Sequence, residues 1–98
     1  MIDLYSSPTP NGWKVAMALE ELNQPYKVNY IDLAAGDQHK PEFLAMNPNG
    51  RIPVIVDRDA DDLVIFDSNA ILFYLAEKTG KLLPKKGAAR AEVMQWLM

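Results

Sequence analysis

The sequence predicts an α/β domain with a mixed four-stranded sheet, in the order β-α-β-α-β-β-α. Three observations carry that expectation. Apolar residues alternate at period two over residues 2–5 and 26–33, on either side of a proline-free stretch, 12–22. In that stretch Val15, Ala18, Leu19 and Leu22 recur at helical steps. Two β-branched runs, 53–56 and 63–66, then stand on either side of a short acidic turn and read as an antiparallel hairpin.

The elements follow in order. Ile2-Asp3-Leu4-Tyr5 is a strand that stops at the turn cluster 6–12, with Asn11 as the expected N-cap of the first helix. Asn23-Gln24-Pro25 ends that helix, and the β-α-β unit is expected parallel and right-handed. Residues 34–40 form a polar loop around Gly36, 41–46 supply little more than one helical turn, and Asn47-Pro48-Asn49-Gly50 terminates it. After the hairpin, Asp67 or Ser68 caps a helix over 69–78, with Ile71, Leu72, Leu75 and Tyr74 inward and Thr79-Gly80 at its end. Residues 81–87 have the proline, glycine and charge of a connector. A last helix over 88–98 carries Val93, Trp96 and Leu97 on one stripe and reads as the start of a truncated segment, since no Gly, Asn or basic turn closes it. The expected division is 1–84 as the domain, and 85–98 as linker and first part of a further helical domain.

Composition narrows the function. At 98 residues with 49% hydrophobic and 23% charged content, the chain can bury a core. A net charge of -3 argues against a nucleic-acid partner. Nothing at the N-terminus reads as a leader or an apolar span, so the expected setting is cytoplasmic, with no membrane. With zero cysteines, disulfides, thiolate metal sites and a cysteine nucleophile are excluded, and any sulfur chemistry must use a thiol brought by the ligand. His39 has no partner at metal spacing. Asp57, Asp59 and Asp61 imitate the opening of a calcium loop. However, Asp62 stands where that loop needs glycine and Ser68 where it needs a bidentate Glu, so a solvated hairpin turn is expected and no metal.

The most informative stretch is Arg51-Ile52-Pro53-Val54-Ile55-Val56, followed by Leu63-Val64-Ile65-Phe66-Asp67-Ser68. Proline has no N–H to give a sheet, so Pro53 at the mouth of a strand leaves the backbone of Ile52 free to face something else. Asp67-Ser68 falls at a helix start, where unpaired N–H groups and the positive dipole end favour an anion. Together they read as a docking site for an extended peptide that carries a carboxylate.

That element order, with Ile52-Pro53 before the hairpin and Asp67-Ser68 after it, resembles the thioredoxin-like N-terminal domain of the cytosolic glutathione transferases. The resemblance covers about residues 1–84, and 88–98 looks like the opening of the family's all-helical second domain. Thr9-Pro10-Asn11-Gly12 looks most like the bacterial nu-class and the fungal nitrogen-regulator type, which act on glutathione disulfides more than on drug-like electrophiles. The resemblance implies a cis peptide at Pro53, with the Ile52 backbone pairing the cysteinyl part of glutathione as a strand-like edge. It implies that Ser68 and the helix it opens hold the γ-glutamyl carboxylate. Asp67 would meet the neighbouring ammonium, where relatives commonly carry Glu.

Thr9 and Asn11 are the residues implied beside the sulfur, with Tyr5 and Ser6 as competitors. A free thiol titrates at about 8.5, and a hydroxyl, an amide and a helix N-terminus could lower that by roughly one to two units. Gln38 and Arg51 are implied at the glycyl end. The implied activity is that of a glutathione transferase or a glutathione-dependent disulfide reductase, with glutathione or its disulfide as one partner and a second small molecule or disulfide as the other. A homodimer is implied for the full-length protein. The alternative is a binding or assembly module that keeps the fold without turnover.

Overall fold

The alternating runs become strands of one sheet in the computed structural model, which describes residues 1–81 and 87–97. The strands are β1 (Ile2–Ser6), β2 (Tyr26–Tyr30), β3 (Val54–Asp57) and β4 (Leu63–Phe66). Among the described residues the α-helices are α1 (Pro10–Glu21), α2 (Pro41–Leu44), α3 (Ser68–Thr79) and α4 (Gly87–Leu97). Across the sheet the order is β2-β1-β3-β4, with β1 parallel to β2 and the other two pairings antiparallel. The mixed sheet is the one expected. The division at 84 and 85, and the packing of Trp96, Leu97 and Met98, lie outside the described residues.

Strand alternation divides the core between two faces. Ile2, Leu4 and Ile55 point to α1 and α3, where they meet Val15, Leu19, Ile71 and Leu75. Val54 points the other way, to Ile31 and Phe43, with Ile52 and Tyr5 packed around them. β3 is buried at all four positions, which explains why its sequence is continuously apolar until Asp57. No helix among the described residues is long and apolar enough to cross a membrane.

Four local expectations are corrected. First, α1 begins at Pro10, and Thr9 rather than Asn11 is its N-cap: Thr9 is extended (φ -128°) and its hydroxyl oxygen accepts from the Gly12 N–H at 3.3 Å. Proline at the first helical position lacks an N–H that would be unpaired anyway, so Pro10 starts the helix instead of delaying it. Second, β2 stops at Tyr30. The Asp32 N–H is taken by Asp37 Oδ2 (3.0 Å) and Asp32 Oδ1 accepts from the Ala35 N–H (3.2 Å), which turns the chain out of the sheet. Third, α2 ends at Leu44, with the Met46 and Asn47 N–H groups both donating to the Phe43 carbonyl (2.9 Å each).

The fourth correction concerns the acidic hairpin. Its first residue is not solvated: the Asp57 side chain is 0% exposed and pairs with Lys78 at 2.6 Å. It also accepts from the Tyr74 hydroxyl (2.6 Å) and the Asp59 N–H (3.1 Å). Burial alone would raise this carboxyl, but those three donors together hold it below its usual value. Asp57 thereby ties the far end of β3 to the last turns of α3, while the near ends of the same two elements carry Pro53 and Ser68.

Candidate functional site

At those near ends the chain leaves a cavity of about 500 Å³. Ile52 and Pro53 form one wall and Asp67 and Ser68 the opposite one. Asn11 from the first turn of α1, Arg51 and Asn49 from the loop before β3, and Phe66 from the end of β4 complete the rim, with Asn47 behind them. Five of the seven residues singled out from sequence therefore surround one space: Asn11, Arg51, Ile52, Asp67 and Ser68.

Each wall has a local cause. The Ile52-Pro53 peptide is cis. The Ile52 side chain packs inward with Val54 and Phe43, and among the described residues no backbone hydrogen bond within the chain takes its N–H or C=O. A free strand-like edge thus faces the cavity. Arg51 is shaped from behind by Asn47, which is 2% exposed and donates from Nδ2 to the Arg51 carbonyl (2.9 Å). Asn47 Oδ1 accepts from the Asn49 N–H (3.0 Å), closing the turn.

Opposite, Asp67 is the N-cap of α3, its Oδ1 accepting from the Asn69 N–H at 3.1 Å. Its φ of 76° lies in the left-handed region, which non-glycine residues rarely adopt. Strain of that kind persists where the surrounding structure requires it and gathers at functional sites. Ser68 then presents its hydroxyl beside the first N–H groups of α3, and Lys14 Nζ donates to Ser68 Oγ at 3.4 Å. Hydrogen-bond donors and positive charge therefore dominate this end, next to the Asp67 carboxylate.

Thr9 and Gln38 do not line the cavity. Thr9 Oγ1 accepts from Gly12, which leaves its hydroxyl hydrogen free to donate. Gln38 lies in a short turn whose backbone packs on Gly50: a Cβ there would come within 3.3 Å of the Gln38 carbonyl. Gln38 Oε1 is buried without a hydrogen-bond partner. Of the competitors near the end of β1, Tyr5 faces α2 and lines a separate hollow with Asp37, Lys40 and Glu42. Ser6 is buried, with its hydroxyl turned toward the Ser7 carbonyl (3.4 Å).

The description glutathione S-transferase, N-terminal domain, is matched by the chain over residues 9–78. The chain belongs to the glutathione S-transferase family. It is 50% identical over 101 residues to disulfide-bond oxidoreductase YfcG of Escherichia coli, with 99% of this chain and 47% of that protein covered. It is 51% identical over 76 residues to glutathione S-transferase 2 of Schizosaccharomyces pombe, covering 76% of this chain and 33% of that one. Among solved structures, a glutathione transferase family member from Pseudomonas fluorescens with two glutathione bound superposes with a TM-score of 0.95 at 50% identity, covering 99% of this chain and 44% of that one. A glutathione transferase from Pseudomonas putida, with one glutathione disulfide bound per subunit, superposes with a TM-score of 0.94 at 44% identity, covering 99% and 44%. The chain thus spans between a third and a half of the length of these relatives, and its fold is the thioredoxin-like one the resemblance implied.

Sequence reasoning missed Lys14, Asn47, Asn49 and Phe66. Lys14 could have been found from its place three residues after Asn11, on the same side of α1. Phe66 ends the strand that delivers Asp67. Asn47 and Asn49 read as turn residues, and only the fold shows that their turn is the back of the cavity.

Proposed function

We propose that this chain is the glutathione-binding half of an enzyme in which bound glutathione, as thiolate, attacks a disulfide or an electrophile. The observation that carries the reading is the unpaired backbone edge at Ile52, across one cavity from the Asp67-Ser68 start of α3. An extended γ-glutamyl peptide matches that pair: its amide groups meet the edge, and its carboxylate and ammonium meet Ser68 and Asp67. Arg51 holds the glycyl carboxylate, and Gln38, on the turn packed against Gly50, reaches the same end of the ligand. Asn11 donates its amide to the sulfur, and Thr9 contributes its hydroxyl hydrogen and the cap that aims the first turn of α1.

The attack requires no base from the protein, because donors that favour the thiolate already raise its concentration at neutral pH. The thiolate sulfur bonds to one sulfur of the disulfide and the other sulfur leaves as thiolate. Disulfide reduction is the better-supported arm, since the E. coli relative is named a disulfide-bond oxidoreductase. Residues 85–98 open a helical domain that supplies the second-substrate pocket, and the full-length protein is a cytoplasmic homodimer.

Titration with glutathione and with glutathione disulfide, followed by backbone amide shifts, tests the proposal. Movement concentrated at Ile52, Ser68 and Asn11 is expected. A folded chain whose spectrum ignores both compounds at millimolar concentration would make it an assembly module instead.

A further inference from the structure

Lys14 has no role in the scheme above, yet it sits directly behind the anion end of the cavity. Its Nζ donates to Ser68 Oγ (3.4 Å) and to Asn69 Oδ1 (3.3 Å), both partly buried contacts. Both partners are neutral, and among the described residues no carboxylate pairs with it. Lys14 does not line the cavity.

We propose that Lys14 is a positioning residue that sets the polarity of the ligand by fixing the Ser68 hydroxyl as a donor. The inference rests on the glutathione reading of the cavity. An ammonium can only donate, whereas a serine hydroxyl has one hydrogen and two lone pairs. With Lys14 on one lone pair, the hydroxyl hydrogen must turn elsewhere. Ser68 is 8% exposed, and the open direction is the cavity it lines.

A hydroxyl held in that way donates its hydrogen to a carboxylate, while a ligand ammonium that sought its second lone pair would have to approach the Lys14 charge. The positive charge of Lys14, one atom removed, reinforces the preference. Asn69 holds the ammonium from the other side, and its own N–H is already committed to Asp67. The carboxylate of the γ-glutamyl group is thereby directed to Ser68 and its ammonium to Asp67, rather than the reverse.

The test uses the 98-residue chain. Lys14→Met, Lys14→Arg, Ser68→Ala and the Lys14→Met/Ser68→Ala double variant are titrated calorimetrically with glutathione and with an analogue whose γ-glutamyl carboxylate is an amide. Lys14→Met should weaken glutathione about fivefold, the scale of a partly exposed charge-assisted hydrogen bond, and the amide analogue less than twofold. Lys14→Arg should retain most of the affinity, and the double variant should bind no more weakly than Ser68→Ala.

Equal losses for the two ligands would make Lys14 a strut between α1 and α3 and overturn the proposal, as would an unchanged affinity for glutathione. Wild-type chain that binds neither ligand would remove the glutathione reading itself, and Lys14 with it. Should Lys14→Met fail to fold by far-UV circular dichroism, Lys14→Gln takes its place with the same expected pattern.

Discussion

Asp57→Asn is expected to destabilise the domain by about 3 kcal/mol, the low end of what removing one partner of a buried ion pair costs. The magnitude comes from three donors. Tyr74 and Lys78 each reach Oδ2 at 2.6 Å, and the Asp59 N–H reaches Oδ1 at 3.1 Å. Hydrogen bonds to a charged group contribute about 1.5–3 kcal/mol apiece. The low end applies because the Lys78 side chain is 30% exposed, so its ammonium can turn to water once the carboxylate is gone. For a domain of this size each kcal/mol moves Tm by about 4–8 °C, so a fall of roughly 12–24 °C is expected.

The pH dependence supplies an independent check. The carboxyl is depressed in the folded state, so its contribution is present above the unfolded value of about 3.9 and is lost as pH falls through the folded one. The gap in Tm between wild type and Asp57→Asn should therefore be full at pH 7 and close in acid. At the alkaline end Tyr74 is pushed up to about 12, by burial first and by Asp57 second. A raised group stabilises fully below its unfolded value of about 10 and loses that contribution as pH climbs toward the folded one. Far-UV melts from pH 2 to 7 measure the acid limb. A variant that melts within about 2 °C of wild type at pH 7, against the roughly 12–24 °C expected, or a gap that persists unchanged at pH 2, would refute the account.

Asp67→Gly should separate stability from binding: glycine tolerates a φ of 76°. Release of that strain, about 1 kcal/mol, outweighs the few tenths lost when Asp is replaced by Gly as an N-cap, so Tm should rise while glutathione affinity falls severalfold by calorimetry. Gly12→Ala should lose about 2 kcal/mol by chemical denaturation, because the new Cβ would collide with Ser6 Oγ and the Ser7 carbonyl, and backbone cannot move aside cheaply. Thr9→Ala with Asn11→Ala should raise the pKa of bound glutathione thiol by about one unit, read from thiolate absorbance against pH; an identical titration would remove both residues from sulfur activation.

What the sequence could and could not disclose follows from the range of each interaction. Strand alternation, the helical stripe of Val15 and Leu19, and the Pro53 and Asp67-Ser68 signals are properties of a few adjacent residues. Each survived into the fold. The start of α1 is hidden because Pro10 sits in a turn cluster and reads as a breaker, although its missing N–H costs nothing at a first helical position. Asp57 could not be placed from its neighbours. Five nearby acidic positions at 57, 59, 61, 62 and 67 look alike in sequence, and only contact with Tyr74 and Lys78, 17 and 21 residues on, selects the buried one.

That selection bears on the cavity. β3 and α3 run side by side, Pro53 and Ser68 at one end and Asp57 with Lys78 at the other, joined through the exposed edge strand β4. An edge strand of four residues is a weak tie by itself, so the Asp57 cluster and the Ile55–Ile71–Leu75 contact do most to hold the two elements in register. The separation between the Ile52 edge and the Ser68 hydroxyl, on which the proposed recognition of glutathione rests, is thus set in part by a polar clamp at the opposite end of the same two elements.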